Sequence, residues 1–342
     1  MKLSRTGFPG IQQTCAPFRR RTLAWVGAAM AATVLGVLPM AAAAAYPDKP
    51  IRLVVPFPPG GAVDFYARVV QPALGDVLGQ PVIIENKAGA SGMVGAALVA
   101  QSAPDGCTLL IGNIASLAIN VGIYAKMPYD PRKDLTHIVR TVDVNYVMAV
   151  HPSVPAKTVP EFIAYAKANA GKVSYGSAGN GSLPHLGTEL FKSMTGTDMA
   201  HVPYKGGGPM VTDLLGGQIQ VAIADQANLM PHVLSGKLRA LAVATTKRSP
   251  NAPDIPTIAE SLPGFEATAW QGLTAPAGLA PDVTRKINEA FNKVMAMPAV
   301  REKLLAAGLA PVGGTPEQFS RFIDSEITKW TKIAKDVGAT AD

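Results

Sequence analysis

Beyond residue 45 the apolar positions switch repeatedly between two periods. Short β-branched runs at Ile51 to Val55, Val82 to Glu85 and Thr108 to Ile111 each adjoin a stretch with helical spacing. That is the βαβ rhythm of a parallel sheet. An apolar run from Tyr146 to Val150 ends in His151-Pro152, and a second set then opens with Val173 to Tyr175, Ala200 to Val202 and Val221 to Ala224, followed by Leu238 to Ala244. Two such sets, joined by extended segments near Val144 to Val150 and Leu238 to Thr245, predict an α/β protein of two lobes. A ligand would sit between them.

The C-terminal part reads as helical. Val283, Ile287, Phe291 and Val294 make one apolar face after Pro281, with Met295 beside it. A further helix carries its own start signal, because Thr315 can cap, Pro316 suits the first turn and Gln318 completes a capping box. Phe319, Phe322, Ile323, Ile327, Trp330 and Ile333 then form a stripe at helical spacing, which is read as core.

At the other end, Lys2, Arg5, Arg19, Arg20 and Arg21 precede an acid-free apolar run from Leu23 to Leu38, and Pro39 leads to the alanines Ala41 to Ala45. A basic flank, an apolar run too short to span a bilayer with confidence and a small-residue site together read as an export signal cleaved near Ala45. Arg20-Arg21-Thr22-Leu23 leaves both the twin-arginine and the general secretory routes open. Cys15 lies before the apolar run, so it cannot become the lipidated first residue of a mature chain.

Removing residues 1–45 changes the charge. The whole chain has a formal charge of +7, but 26 basic and 24 acidic residues remain after cleavage, a net of +2. No block of Lys and Arg remains that would bind nucleic acid. Cys107 is the single mature cysteine, so neither an intramolecular disulfide nor a cysteine metal cluster is available. Core packing must hold the 297 remaining residues, which suffice for two lobes, 46–145 plus 246–342 and 146–245.

Two segments carry candidate chemistry. Ile51 to Val55 runs into Pro56-Phe57-Pro58-Pro59-Gly60-Gly61-Ala62-Val63-Asp64 and then a helix through Ala67, Val70 and Leu74. A glycine-rich turn opening a helix points free N–H groups and the positive end of the helix dipole at one place, which suits an anion. The alternative is a tight strand-to-helix turn in which Asp64 steadies the first helical turn. The device recurs at Gly176-Ser177-Ala178-Gly179-Asn180-Gly181-Ser182, ahead of a helix through Leu186, Leu190 and Phe191. Ser177, Asn180 and Ser182 add donors that need no ionisation to hold a carboxylate. Ser182 reads equally as a plain N-cap, and His185 as a first-turn structural histidine.

Other chemistries lack their patterns. The stretch Val202-Pro203-Tyr204-Lys205-Gly206-Gly207-Gly208-Pro209 is not a phosphate-binding loop, and no dinucleotide fingerprint occurs. Ser91, Ser177 and Ser182 fall outside any Gly-x-Ser-x-Gly elbow, which leaves an exported α/β hydrolase without its nucleophile. His137, His151, His185, His201 and His232 show no metal-site spacing. No catalysis, cofactor or metal is expected.

The segments resemble, in order and spacing, the tripartite tricarboxylate transporter substrate-binding proteins, or Bug receptors, over essentially the whole mature chain. The marks are Tyr46-Pro47, the Pro-Gly-Gly turn with Asp64-x-x-Ala67-Arg68, Glu85-Asn86-Lys87-x-Gly89-Ala90 and Pro104-Asp105-Gly106-x-Thr108-Leu109-Leu110. They continue through Tyr129-Asp130-Pro131, Gly179-Asn180-Gly181-Ser182 with His185-Leu186, Val202-Pro203-Tyr204-Lys205-Gly206, Pro256-Thr257-Ile258-Ala259-Glu260, Trp270-x-Gly272-Leu273 and Ala275-Pro276-Ala277-Gly278. The resemblance implies a type II periplasmic binding protein fold: two α/β lobes with a ligand cleft between them, in the periplasm.

It also implies a monomeric receptor that captures a small organic carboxylate and delivers it to integral membrane transporter subunits. A receptor that signals to a membrane sensor is the alternative partner reading. The ligand-binding residues carried over are Phe57, Gly60, Gly61 and Asp64 on one lobe, with Pro58 beside them, and Ser177, Ala178, Asn180, Gly181 and Ser182 on the other, with His185 and Tyr204. Asp225 follows Val221 to Ala224 where the family has an aspartate near the cleft; it accepts from a ligand or anchors a loop. Asn113 and Ala227-Asn228 are assigned to the distal pocket, which leaves open dicarboxylates, tricarboxylates, acidic amino acids and aromatic acids. The chain departs from the family at Lys87-Ala88, at Gly112 to Ser116 and at Leu279.

Overall fold

The computed structural model describes residues 46–248 and 252–340; the expected export signal, 1–45, falls outside the described residues. The strands are β1 (Ile51–Val55), β2 (Val82–Asn86), β3 (Thr108–Asn113), β4 (Leu135–Val144), β5 (Tyr146–Val150), β6 (Ser174–Ser177), β7 (Ala200–Pro203), β8 (Val221–Asp225), β9 (Arg239–Val243), β10 (Ala269–Pro276) and β11 (Leu309–Pro311). The helices are α1 (Ala62–Leu78), α2 (Met93–Ala100), α3 (Asn120–Ile123), α4 (Val159–Ala168), α5 (Leu183–Thr195), α6 (Gly207–Leu215), α7 (Gln226–Leu234), α8 (Ile258–Ser261), α9 (Pro281–Ala296), α10 (Pro298–Ala306) and α11 (Pro316–Asp336).

Two sheets result. The first has six strands in the order β11-β4-β10-β3-β1-β2, and the second has five in the order β7-β6-β8-β5-β9. The βαβ units anticipated from the sequence supply the parallel pairs β1 with β2 and β3, and β6 with β7 and β8. The sheets are nevertheless mixed. β10 lies antiparallel between β3 and β4, β11 pairs antiparallel with β4, and β5 runs antiparallel to both β8 and β9. These pairings follow from the crossings between sheets. β4 passes into β5 with Asn145 alone between them, and the chain returns from β9 to β10 through residues 244–268. Ten residues from Leu135 to Val144 hide this strand from a sequence reading because Thr136, His137, Arg140, Thr141 and Asp143 interrupt its apolar run.

Apart from the exposed Arg52, β1 is apolar on both faces because helices cover both sides of the first sheet. On one side Leu53, Val55, Leu109 and Ile111 pack on α1, α9 and α10 through Tyr66, Val70, Leu74, Ile287, Phe291 and Leu304. On the other, Val54 and Leu110 join a core that continues through Leu117, Ile119, Ile123 and Trp330 to Met148, Phe191 and Ile223 of the second sheet's half. α1 stops at Gly79, whose left-handed backbone (φ 75°) lets its N–H reach the Gly75 carbonyl.

α11 forms as its start signal predicts. Thr315 Oγ1 accepts from the Gln318 amide at 3.3 Å, and Gln318 Oε1 accepts from the Thr315 amide at 2.9 Å. Phe319, Ile323, Ile327 and Trp330 are buried as read; Phe322 is half-buried, with the Arg140 guanidinium 3.8 Å over its ring. α11 lies on β4 and on residues 115–123, on the face of the first sheet that carries Val54 and Leu110.

Candidate functional site

Both glycine-rich turns form at the C-terminal end of a parallel strand, and each opens directly into a helix. At the first, Gly60 is left-handed (φ 87°) and Gly61 occupies the N-cap of α1 in an extended conformation, with no side chain capping the helix. Intrahelical bonding begins with Phe65 N–H to the Gly61 carbonyl at 2.9 Å, so the amides of the first turn face outward unspent. Gly60, Gly61, Pro58 and Ala62 are exposed.

Asp64 organises this turn from below. Its carboxylate is 2 % exposed and accepts from the Gly60 amide (2.9 Å), Arg68 Nε (2.8 Å) and Nη2 (3.1 Å), and Asn86 Nδ2 (2.9 Å). Arg68, then the Gly60 amide and Asn86, hold the acid down to about 2 against the upward pull of burial. Asn86 also donates to the Phe57 carbonyl at 3.0 Å. These bonds tie the Asp64 carboxylate into the turn itself. Asn86 is a residue the sequence reading did not assign to the site. Its signal is register, since parallel pairing sets Val55 against Asn86 at the start of the turn.

At the second turn Gly179 (φ 123°) and Gly181 (φ 70°) both need a left-handed backbone. Ser182 stands at the N-cap of α5 yet does not cap it; its hydroxyl donates back to the Gly179 carbonyl at 2.6 Å. α5 therefore also begins uncapped, with Pro184 in its first turn removing one donor. Some amides here are already used: Gly179 N–H donates to Ser177 Oγ (3.2 Å) and Gly181 N–H to His185 Nδ1 (3.1 Å). Ala178 is half-buried, and Asn180 is exposed with its side chain outside the turn's internal bonds. Ser177 is fully buried, 2.7 Å from His201 Nε2, so its hydroxyl holds the turn from inside.

The remaining candidates take supporting places. Tyr204 donates to Asp213 at 2.7 Å; burial and then that carboxylate push its phenol up to about 12. Its backbone closes on the second turn through N–H to the Ser177 carbonyl at 3.1 Å. Asp225 caps α7, accepting from the Ala227 amide at 2.8 Å, and burial raises its carboxyl. Asn113, at the end of β3, exchanges bonds with Ser116: its Oδ1 accepts from the Ser116 amide at 3.1 Å and its own amide donates to Ser116 Oγ at 3.1 Å.

A chain of contacts links the two turns. A Cβ on Gly92 would lie 3.2 Å from both the Phe57 ring and Ser116, which places Phe57 over the segment after β3. That segment leads to α3, and a Cβ on Gly181 would stand 2.4 Å from Ile123 Cδ1. Asn120 lies along this path, fully buried, donating to the Ser91 carbonyl at 3.2 Å, while its Oδ1 has no partner among the described residues. Among the described residues no group of three or more His, Cys, Asp or Glu is placed to hold a metal ion. Such an arrangement can hold an anion by oriented amides and helix dipoles.

The sequence profile of the Tripartite tricarboxylate transporter family receptor matches residues 66–339. The chain belongs to this family. Protein BugT of Bordetella pertussis is 39% identical over 321 residues, 93% of this chain and 98% of BugT. Among solved structures, an R. palustris protein with adipate is 36% identical, with a TM-score of 0.77 over 86% of this chain and 99% of that one. MatC from Rhodopseudomonas palustris, with bound malate, is 31% identical with a TM-score of 0.72, over 84% and 99%. Solved members of the receptor family are periplasmic binding proteins, and this chain has their fold, two α/β lobes with a ligand cleft between. As a member of the tripartite tricarboxylate transporter receptors it is a solute-binding receptor and not an enzyme.

Proposed function

We propose that this receptor captures a small organic carboxylate in the periplasm and delivers it to the integral membrane subunits of a tripartite tricarboxylate-type transporter. The observation that carries this reading is the pair of uncapped helix N-termini, α1 after Gly60-Gly61 and α5 after Gly179 to Gly181, each presented at the end of a parallel strand. Unspent first-turn amides and two helix dipoles favour a ligand with at least one ionised carboxylate. Relatives with adipate and with malate support the same class.

In this reading residues 1–45 are removed on export and the chain acts as a monomer. Lobe 1 comprises 46–145 and 246–342, lobe 2 comprises 146–245, and the β4–β5 and β9–β10 crossings serve as the hinge. Phe57, Pro58, Gly60, Gly61, Ala178, Asn180, Gly181, Ser182 and Asn113 line the cleft, while Asp64, Ser177, His185, Tyr204 and Asp225 hold its walls in shape. Closure needs only that the ligand bind the closed form better than the open one.

The test is a thermal-unfolding screen against adipate, malate, other mono-, di- and tricarboxylates, acidic amino acids and aromatic acids, with neutral sugars as controls. A ligand at a hundredfold excess over its Kd adds about 2.7 kcal/mol of stability. Stabilisation by one class of acid supports the proposal and names the class. A response confined to neutral solutes would overturn it.

A further inference from the structure

We propose that His201 is a positioning residue for the second turn: through Ser177 on one side and the His185 ring on the other, it keeps residues 177–182 in their binding shape, a shape that is lost when the His185 imidazole takes up a proton. This rests on the carboxylate reading above and concerns the same site.

The geometry is a stack of three rings under the turn. His201 lies between Tyr175, with centroids 4.8 Å apart and planes at 14°, and His185, at 4.1 Å and 8°. Each imidazole fastens one end of the turn. His185 Nδ1 accepts the Gly181 N–H at 3.1 Å, which fixes that residue's left-handed backbone. His201 Nε2 lies 2.7 Å from Ser177 Oγ; with the hydroxyl proton on the Gly179 carbonyl at 3.2 Å, Oγ accepts from the His201 Nε2–H and from the Gly179 amide at 3.2 Å.

Only a bare Nδ1 can accept. An imidazolium carries protons on both nitrogens, so charging His185 turns its bond with Gly181 into a donor facing a donor. Two parallel rings 4.1 Å apart also resist carrying like charges, which ties the two titrations together. Burial lowers both imidazoles, His201 to about 4 with the neighbouring His185 as the next cause, so both rings are neutral at neutral pH.

The charged groups acting on the rings are few. Glu189 and Lys192 of α5 pair at 2.8 Å, and Glu189 also accepts from the Tyr175 hydroxyl. Tyr175 on β6 and His201 on β7 are the titratable groups those strands bring. Neither β8 nor α11, which also pack on α5, contributes a charged group acting on either ring among the described residues.

Two measurements on the purified protein decide the matter. The first is nitrogen-resolved NMR of the imidazoles and of the Gly181 amide from pH 7.5 to 4.5. The expected result is the Nε2–H tautomer at His185 and a Gly181 amide that shifts with the same midpoint as the His185 ring. The second is calorimetric titration with adipate and with malate over the same range, in the native protein and in His201→Phe, which keeps a flat ring but loses the nitrogen. Affinity should hold near neutrality and then fall by up to about tenfold per pH unit for each proton taken up. His201→Phe should bind at least tenfold more weakly at pH 7.5 and show a shallower acid limb.

A Gly181 amide indifferent to the His185 titration, or an Nδ1–H tautomer, overturns the proposal whether or not either acid binds. So does affinity that stays flat through the pH at which the His185 ring is seen to titrate. If the NMR result is as expected and neither acid binds, the positioning role stands and the choice of acid in the functional reading fails.

Discussion

Replacing Gly181 with alanine tests how the second turn is seated. At φ 70° a Cβ costs about 1–2 kcal/mol from backbone conformation alone. The new methyl would also stand 2.4 Å from Ile123 Cδ1, so that buried side chain must leave its place or the turn must move, adding about 1–3 kcal/mol of overpacking. Gly181→Ala should therefore destabilise by about 2–5 kcal/mol in urea unfolding and weaken carboxylate binding, because the start of α5 is pushed off its seat. Ile123→Ala, at a buried position, should cost about 2–5 kcal/mol by itself. Combined, the smaller side chain makes room for the methyl, so the overpacking part, about 1–3 kcal/mol, should be recovered while the backbone part remains. The double-mutant cycle measured by denaturant midpoint checks this. Additivity within about 0.5 kcal/mol would refute the contact between the turn and α3, and with it the route by which the two turns are set against each other.

Two other substitutions address the supports. Asp64→Asn removes the charge that Arg68, Gly60 and Asn86 surround, so carboxylate affinity should drop as the first turn loosens; since the folded acid sits near 2, below its ordinary value, the stability it confers is present above about pH 4 and lost as the pH falls toward 2, which an acid-unfolding series comparing the two proteins reads directly. Glu326 Oε2 accepts both indole N–H groups, Trp270 at 2.8 Å and Trp330 at 2.9 Å, in a buried site. Glu326→Leu should cost about 2–6 kcal/mol from two buried donors left without an acceptor, and Glu326→Gln clearly less; equal losses in urea unfolding followed by tryptophan fluorescence would refute that account.

Much of the plan is legible in one sequence because it depends on local periodicity. β1 to β3 announce themselves as β-branched runs, β8 as a short apolar one, and α11 by a capping box that forms with both of its bonds. The two glycine turns are readable for a similar reason: a strand, a left-handed glycine and a helix start are local requirements, and glycine meets the middle one without strain. Roles inside the site were less legible. Asp64 looks like a ligand group in isolation, yet its oxygens are spoken for by Gly60, Arg68 and Asn86, and Asn86 lies 22 residues away on a neighbouring strand.

The sequence by itself determined the alternation of strands and helices and the two glycine-rich turns that open helices, because each arises from residues a few positions apart. Tertiary structure alone decided that β4, β10 and β11 make the first sheet mixed, and that Gly181 rests on Ile123. It also decided that His201, 24 residues from Ser177, stacks beneath the second turn beside His185. Hydrogen bonds and ring contacts depend on separations in space, and parallel pairing and crossings between sheets bring together residues whose distance along the chain carries no trace of the meeting.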